Sequence, residues 1–327
     1  MRTRLLLGLI GLALTCLSIG ATAQTPGKVY RVGFVGIGSG PSYAATLDGF
    51  GRSLARHGYS VGVNLLIESR FADAKPERLP ALVKELLDSS VDVIVTMSYP
   101  AARAAKDGTS TVPIVSMGAG DPVETGLAAS LSRPGGNITG MSDLASELSA
   151  KRLELLKIAV PGLKRVAMLW NADDLGMTAR YRAAAAAAVA LGVSVQPLGV
   201  REPDDFEAAF AAMTRDKPDG ILMVSDILTS LNRKRVFEFA AAHRVPAIYE
   251  LESFARDGGL MAYGPDLSEM RERGAGLVDR VLKGAKPADL PYEQPTRFQF
   301  VINQTTANTL GLAMPEELLR RADEVIE

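Results

Sequence analysis

The chain has 327 residues, and its 36 Lys and Arg nearly balance 37 Asp and Glu. With no basic block, that balance removes any broad pull towards nucleic acid or an anionic membrane surface. The single cysteine, Cys16, leaves no cysteine in a chain cut after Ala23, so disulfides and thiolate chemistry drop out of such a product.

Met1 to Ala23 has the anatomy of a secretory signal peptide. Arg2 and Arg4 form a positive start, Leu5 to Ile19 an apolar core, and Ala21-Thr22-Ala23 a small-residue cleavage site before Gln24. The apolar stretch is short for a membrane span, which needs about 20 residues. An uncleaved anchor and a lipid anchor through Cys16 are the alternatives. Thr15 fits the second poorly, and the periplasm is the expected destination. Removing 23 of 327 residues leaves 304, enough for two domains.

Beyond the leader, short apolar runs alternate with helical patterns, which predicts βαβ units and parallel sheets. Val29–Val35 reads as a strand ending in Gly36-Ile-Gly-Ser-Gly40, and a helix follows from about Tyr43 to His57. Val63–Phe71, Val91–Thr96 and Val112–Ser116 read as further strands. Helices are expected over Pro76–Leu87 and from Pro100, since proline suits a first helical turn. After Arg133-Pro-Gly-Gly-Asn-Ile-Thr-Gly140 the rhythm restarts with a helix over Leu144–Ile158. Strands at Lys164–Trp170, Val193–Pro197, Gly220–Val224 and Val245–Tyr249 follow, with helices at the Ala183–Ala188 run, Phe206–Met213 and Leu231–His243. Two successive βα arrays predict two α/β lobes. The tail (strand Gly258–Tyr263, helix Leu267–Leu282, strand Thr296–Ile302) returns to both, giving three crossovers and a hinge. The expected division is 28–141 plus 260–295 for lobe 1, and 142–259 plus 296–327 for lobe 2.

In open parallel sheets, ligands bind beyond the carboxyl ends of the strands. Those ends carry Gly38, Ser39, Ser98, Tyr99, Gly118, Asp121, Asn171, Ser225, Asp226, Tyr249 and Glu250, and they form the candidate ligand-binding set with Tyr43. Helix amides beside Ser39–Tyr43 and Ser98–Ala101 suit a carboxylate. Asp226 or Glu250 suits an ammonium, while Tyr43, Tyr99, Trp170 and Tyr249 suit aromatic walls. Plainer readings stand beside these: Ser98 and Tyr99 as a helix cap, Asp121-Pro122 as a turn, Asp226 as a cap and Trp170 as packing.

Enzymatic readings find little support. The glycine loop fails the dinucleotide pattern, because Pro41 stands where the third glycine should fall and removes a backbone donor. Zinc, redox, hydrolase and P-loop motifs are missing from the sequence, and His57 and His243 sit late in amphipathic helices. The sequence therefore predicts no catalytic residue, no cofactor and no metal site. A secreted two-lobe transferase and a sensor domain coupled to a membrane receptor remain the rival readings.

Four segments resemble a known family. Val91–Ala105, Pro113–Gly140 with its R-P-G-G-N-x-T-G, Lys151–Lys157 and Lys283–Pro295 with its L-P-x-E-Q-P look like the ABC-transporter substrate-binding proteins of the tryptophan or aromatic-amino-acid type. The resemblance spans the mature chain. It implies a type I periplasmic-binding-protein fold and a small solute, an aromatic or branched amino acid first, held between the lobes. It also implies a monomer that delivers to an ABC permease in the inner membrane. Similar proteins tend to carry a small hydroxyl residue where this chain has Tyr99, so Tyr99 is expected to narrow or cover the pocket.

Overall fold

A computed structural model describes residues 27–327, so the leader and Cys16 lie outside the described residues. The first sheet has five parallel strands: β1 (Tyr30–Gly36), β2 (Leu65–Phe71), β3 (Val93–Thr96), β4 (Ile114–Met117) and β5 (Ile138–Met141). Their spatial order is β2-β1-β3-β4-β5. The helices α1 (Gly40–Ala55), α2 (Leu79–Asp88) and α3 (Tyr99–Gly108) connect them.

Both faces of this sheet are covered, which is why its strands read as nearly unbroken apolar runs. The two-residue period of a strand divides each between two cores. Val32, Phe34, Val93 and Val95 enter one core, and Val35 and Ile94 the other.

The second sheet is built from β6 (Arg165–Asn171), β7 (Ser194–Val200), β8 (Gly220–Met223), β9 (Ala247–Tyr249), β10 (Met261–Pro265), β11 (Phe298–Asn303) and β12 (Glu324–Ile326), in the order β12-β11-β10-β9-β8-β6-β7. Only β10 and β11 pair antiparallel within it. Its helices are α4 (Ala145–Ala159), α5 (Leu175–Ala190), α6 (Asp205–Arg215), α7 (Ile227–Leu231), α8 (Arg233–His243) and α9 (Glu252–Arg256). Val166, Met168 and Trp170 face one core of this lobe, and Ala167 and Leu169 the other.

The chain crosses between lobes three times: after β5, between β10 and α10 (Leu267–Leu282), and before β11. Helix α10 packs on α1 and on β3, β4 and β5, so it belongs to the first lobe. Helices α11 (Gln304–Leu310) and α12 (Glu316–Arg321) close the second. One expectation is corrected. Met261–Pro265, assigned from sequence to lobe 1, hydrogen-bonds with β9 and β11 in the second sheet, so the crossing falls at Asp266. Asp266 marks it by capping α10, accepting from the Ser268 and Glu269 amides.

The motif segments have a structural explanation. The Tyr292 and Glu293 amides donate to Leu131 and Gly140 carbonyls, Ser142 N donates to Glu293 O, and Thr139 Oγ1 donates to Leu290 O at 2.8 Å. The residues around Glu293 thus run as a short extra partner beside β5. Asn137 Nδ2 ties the same region to Thr109 and Val112 carbonyls.

Candidate functional site: the interlobe cleft

In each sheet the strand order reverses direction at one point, between β1 and β3 in the first and between β6 and β8 in the second. Loops leaving such neighbours diverge to opposite faces and open a crevice at the carboxyl ends. The two crevices face one another across a cavity of about 1100 Å³, lined by both lobes. That is at or above the roughly 300–1,000 Å³ of ordinary small-molecule sites.

Of the residues expected here, Tyr43, Ser98, Tyr99, Gly118, Asn171, Ser225, Asp226 and Glu250 line the cavity. Tyr43 is wedged against Phe34 and stacked on Phe71, and burial pushes its phenol pKa up. Ser98 caps α3, its Oγ accepting from Ala101 N at 3.3 Å. Tyr99 reaches the other lobe: a Cβ placed on Gly176 would stand 3.3 Å from the Tyr99 Cβ. Asn171 Nδ2 donates to Asp226 Oδ2 at 2.6 Å, and Asp226 also caps α7 through Thr229 N.

The remaining expectations are placed elsewhere. Gly38 and Ser39 sit at the start of α1 without lining the cavity, although a Cβ on Gly38 would come 3.0 Å from Ile227 of the facing lobe. Asp121 opens a turn, its Oδ1 accepting from Val123 and Glu124 amides at 2.8 and 3.0 Å. Tyr249 is fully buried between Phe237 and Phe254 as core, not wall. Trp170 is 8% exposed and stacked on Tyr181 at 3.8 Å, away from the cavity.

Glu250 needs a correction of role. It lines the cavity, but its two oxygens are taken by Arg152 Nη1 at 2.8 Å and Arg180 Nη1 at 2.7 Å, with Ser225 N at 3.2 Å. Arg180 also bonds Asp143, and Arg152 Nε donates to Tyr263 O at 2.7 Å. Two cations and two anions thus balance, so Glu250 is not a free partner for an ammonium. Burial works against the charged Arg180, yet Asp143 and Glu250 hold its pKa above the usual value. For Arg152 burial prevails and the direction is downward. The network joins the first crossover, through Asp143, to the middle of β10, through Tyr263.

Sequence reasoning missed this network and also Asp174. Asp174 caps α5, accepting from Gly176 and Met177 amides, and is almost buried. Burial first, then the neighbouring charge of Asp226, pushes its carboxyl up to about 6. Asp174 and Asp226 therefore give the second-lobe wall a local negative excess. Opposite them, the first-lobe wall presents the N-terminal end of α3, and helix N-termini favour anions.

Two facing α/β lobes, three crossovers and a large cleft with polar groups at the switch points define a two-lobed solute-binding protein of type I periplasmic-binding-protein architecture. The chain belongs to the family of ABC transporter substrate binding proteins, whose model matches residues 31–326. It is 26% identical over 285 residues to a tyrosine-binding protein of Clostridioides difficile (strain R20291), covering 87% of this chain and 82% of that one. A conserved domain protein from Vibrio cholerae superposes with a TM-score of 0.86 at 26% identity, covering 91% of this chain and 100% of that chain. A Streptococcus pneumoniae ABC domain in complex with L-Trp gives 0.85 at 26% identity, covering 91% and 99%. No helix among the described residues is long and apolar enough to cross a membrane.

Proposed function

We propose that the protein is an exported, monomeric solute receptor that captures an amino acid with a large apolar side chain and passes it to an ABC permease in the inner membrane. The observation that carries the reading is the cleft's polarity. Asp174 and Asp226 on one wall suit an ammonium, the α3 N-terminus on the other suits a carboxylate, and mostly apolar side chains fill the space between. A zwitterion bridging the walls would favour closure of the hinge. The L-Trp and tyrosine-binding relatives support the same ligand class. Export to the periplasm rests on the leader read from the sequence. Neither catalysis nor nucleic acid has a place in this reading.

A thermal-shift screen of the purified mature protein against amino acids, aromatic carboxylates, sugars and purines tests it. A ligand that binds only the folded state raises the midpoint with its excess over Kd. L-Trp, L-Tyr, L-Phe or L-Leu should raise it, and Asp226→Ala should abolish that shift while leaving the ligand-free midpoint within a few degrees. A response confined to sugars or purines refutes the amino-acid reading. Turnover of a hit refutes the receptor reading.

A further inference from the structure

Methionine is concentrated where the cleft is apolar. Met97 follows β3, Met117 ends β4 and Met270 lies on α10, so three elements of the first lobe each contribute a methionine to the cavity lining. Met177, on α5, lines the same cavity from the second lobe. The first three share one core cluster with Tyr43. The Met117 sulfur packs against α10, since a Cβ on Gly274 would come within 2.4 Å of it. Met117, Met177 and Met270 are each 5% exposed or less. The aromatic rings lining the cavity are those of Tyr43 and Tyr99.

Methionine is unbranched and polarisable. It refills irregular space at low cost, and its sulfur attracts aromatic edges. A wall of leucine or phenylalanine would fit one side-chain shape better than others; a wall of thioethers re-forms around several. We propose that Met97, Met117, Met177 and Met270 determine specificity as an adaptable wall, admitting flat aromatic and branched aliphatic side chains alike and excluding charged or amide ones. The proposal rests on the amino-acid reading above and refines it.

Titration calorimetry of the mature protein with L-Trp, L-Tyr, L-Phe, L-Leu, L-Met, L-Gln and L-Lys, and with indole-3-acetate and phenylacetate, tests it. Met and Leu differ little in volume, so the Met97→Leu/Met270→Leu variant should fold. The five apolar amino acids should bind within about tenfold of one another. In the variant the aromatic ones should weaken about fivefold relative to L-Leu, as two sulfur–aromatic contacts are lost. One amino acid binding a hundredfold tighter than the other four overturns the proposal, as does binding of L-Gln or L-Lys on a par with them, or a variant with unchanged ratios. If no amino acid binds but the aromatic carboxylates do, with the same loss in the variant, the wall stands and the amino-acid reading falls. If nothing apolar binds, both fall.

Discussion

At the scale of single residues, the cleft separates charges that are already paired from those that are free to act. Arg152 and Arg180 lie at core-facing positions of their helices: Leu148, Arg152, Leu155, Leu156 and Ala159 form one buried stripe, and Met177, Arg180, Ala184 and Ala188 another. A cation inside an apolar stripe is a legible sign of a buried ion pair. Its partner, 98 residues away at Glu250, is not legible, because it depends on how the second sheet assembles. Asp174 is the residue whose ionisation this environment penalises. Its folded pKa of about 6 exceeds the ordinary 3.8, so the folded state holds the proton more tightly. Between those values stability falls as pH rises, and the deficit persists above 6. Asparagine keeps the capping oxygen and removes the charge. Asp174→Asn should therefore stabilise the ligand-free protein at pH 7.5 by on the order of 2 kcal/mol and have no advantage near pH 3.5. Urea unfolding at the two pH values measures it; an equal effect at both would detach the gain from ionisation.

At the scale of elements, ten of the twelve strands and their order of use could be read from the chain, and strand neighbours could not. The residues expected at the ends of β1, β3, β6 and β8 flank the two reversals of strand order, and most of them reach the cleft. Asp121 and Tyr249 follow or end strands farther from the reversals, and they serve a turn and a core instead. β5 was missed because Ile138-Thr-Gly-Met141 is short and opens from a glycine-rich loop that reads as a turn. Its Gly140 explains part of that motif. A Cβ there would stand 1.9 Å from the Ser116 carbonyl oxygen, on the strand beside it. Gly140→Ala should cost about 3 kcal/mol or more, as overpacking against backbone does. Gly136→Ala, four residues earlier and open to space, should cost less than about 1 kcal/mol. Comparable losses in urea unfolding would show that the loop, not the strand contact, demands glycine.

At the scale of the molecule, the lobes are interleaved. The helix α10 that completes the first core lies in sequence between β10 and β11, two adjoining strands of the second sheet. The two-array rhythm made the lobes legible, but only the antiparallel pairing of β10 with β11 shows where the chain leaves and returns. The packing of Trp170 adds a practical consequence. It is the chain's sole tryptophan, and it sits in the second lobe with its ring shielded from the cleft. Indole emission is thus a built-in reporter of one lobe, while far-ultraviolet dichroism reads the helices of both. With a ligand clasped between the lobes, both signals should unfold at a raised midpoint. A ligand resting on the first lobe alone would move the dichroism curve and leave the emission curve in place. One indole, kept out of the binding site by its stacking on Tyr181, can therefore tell capture from mere adhesion.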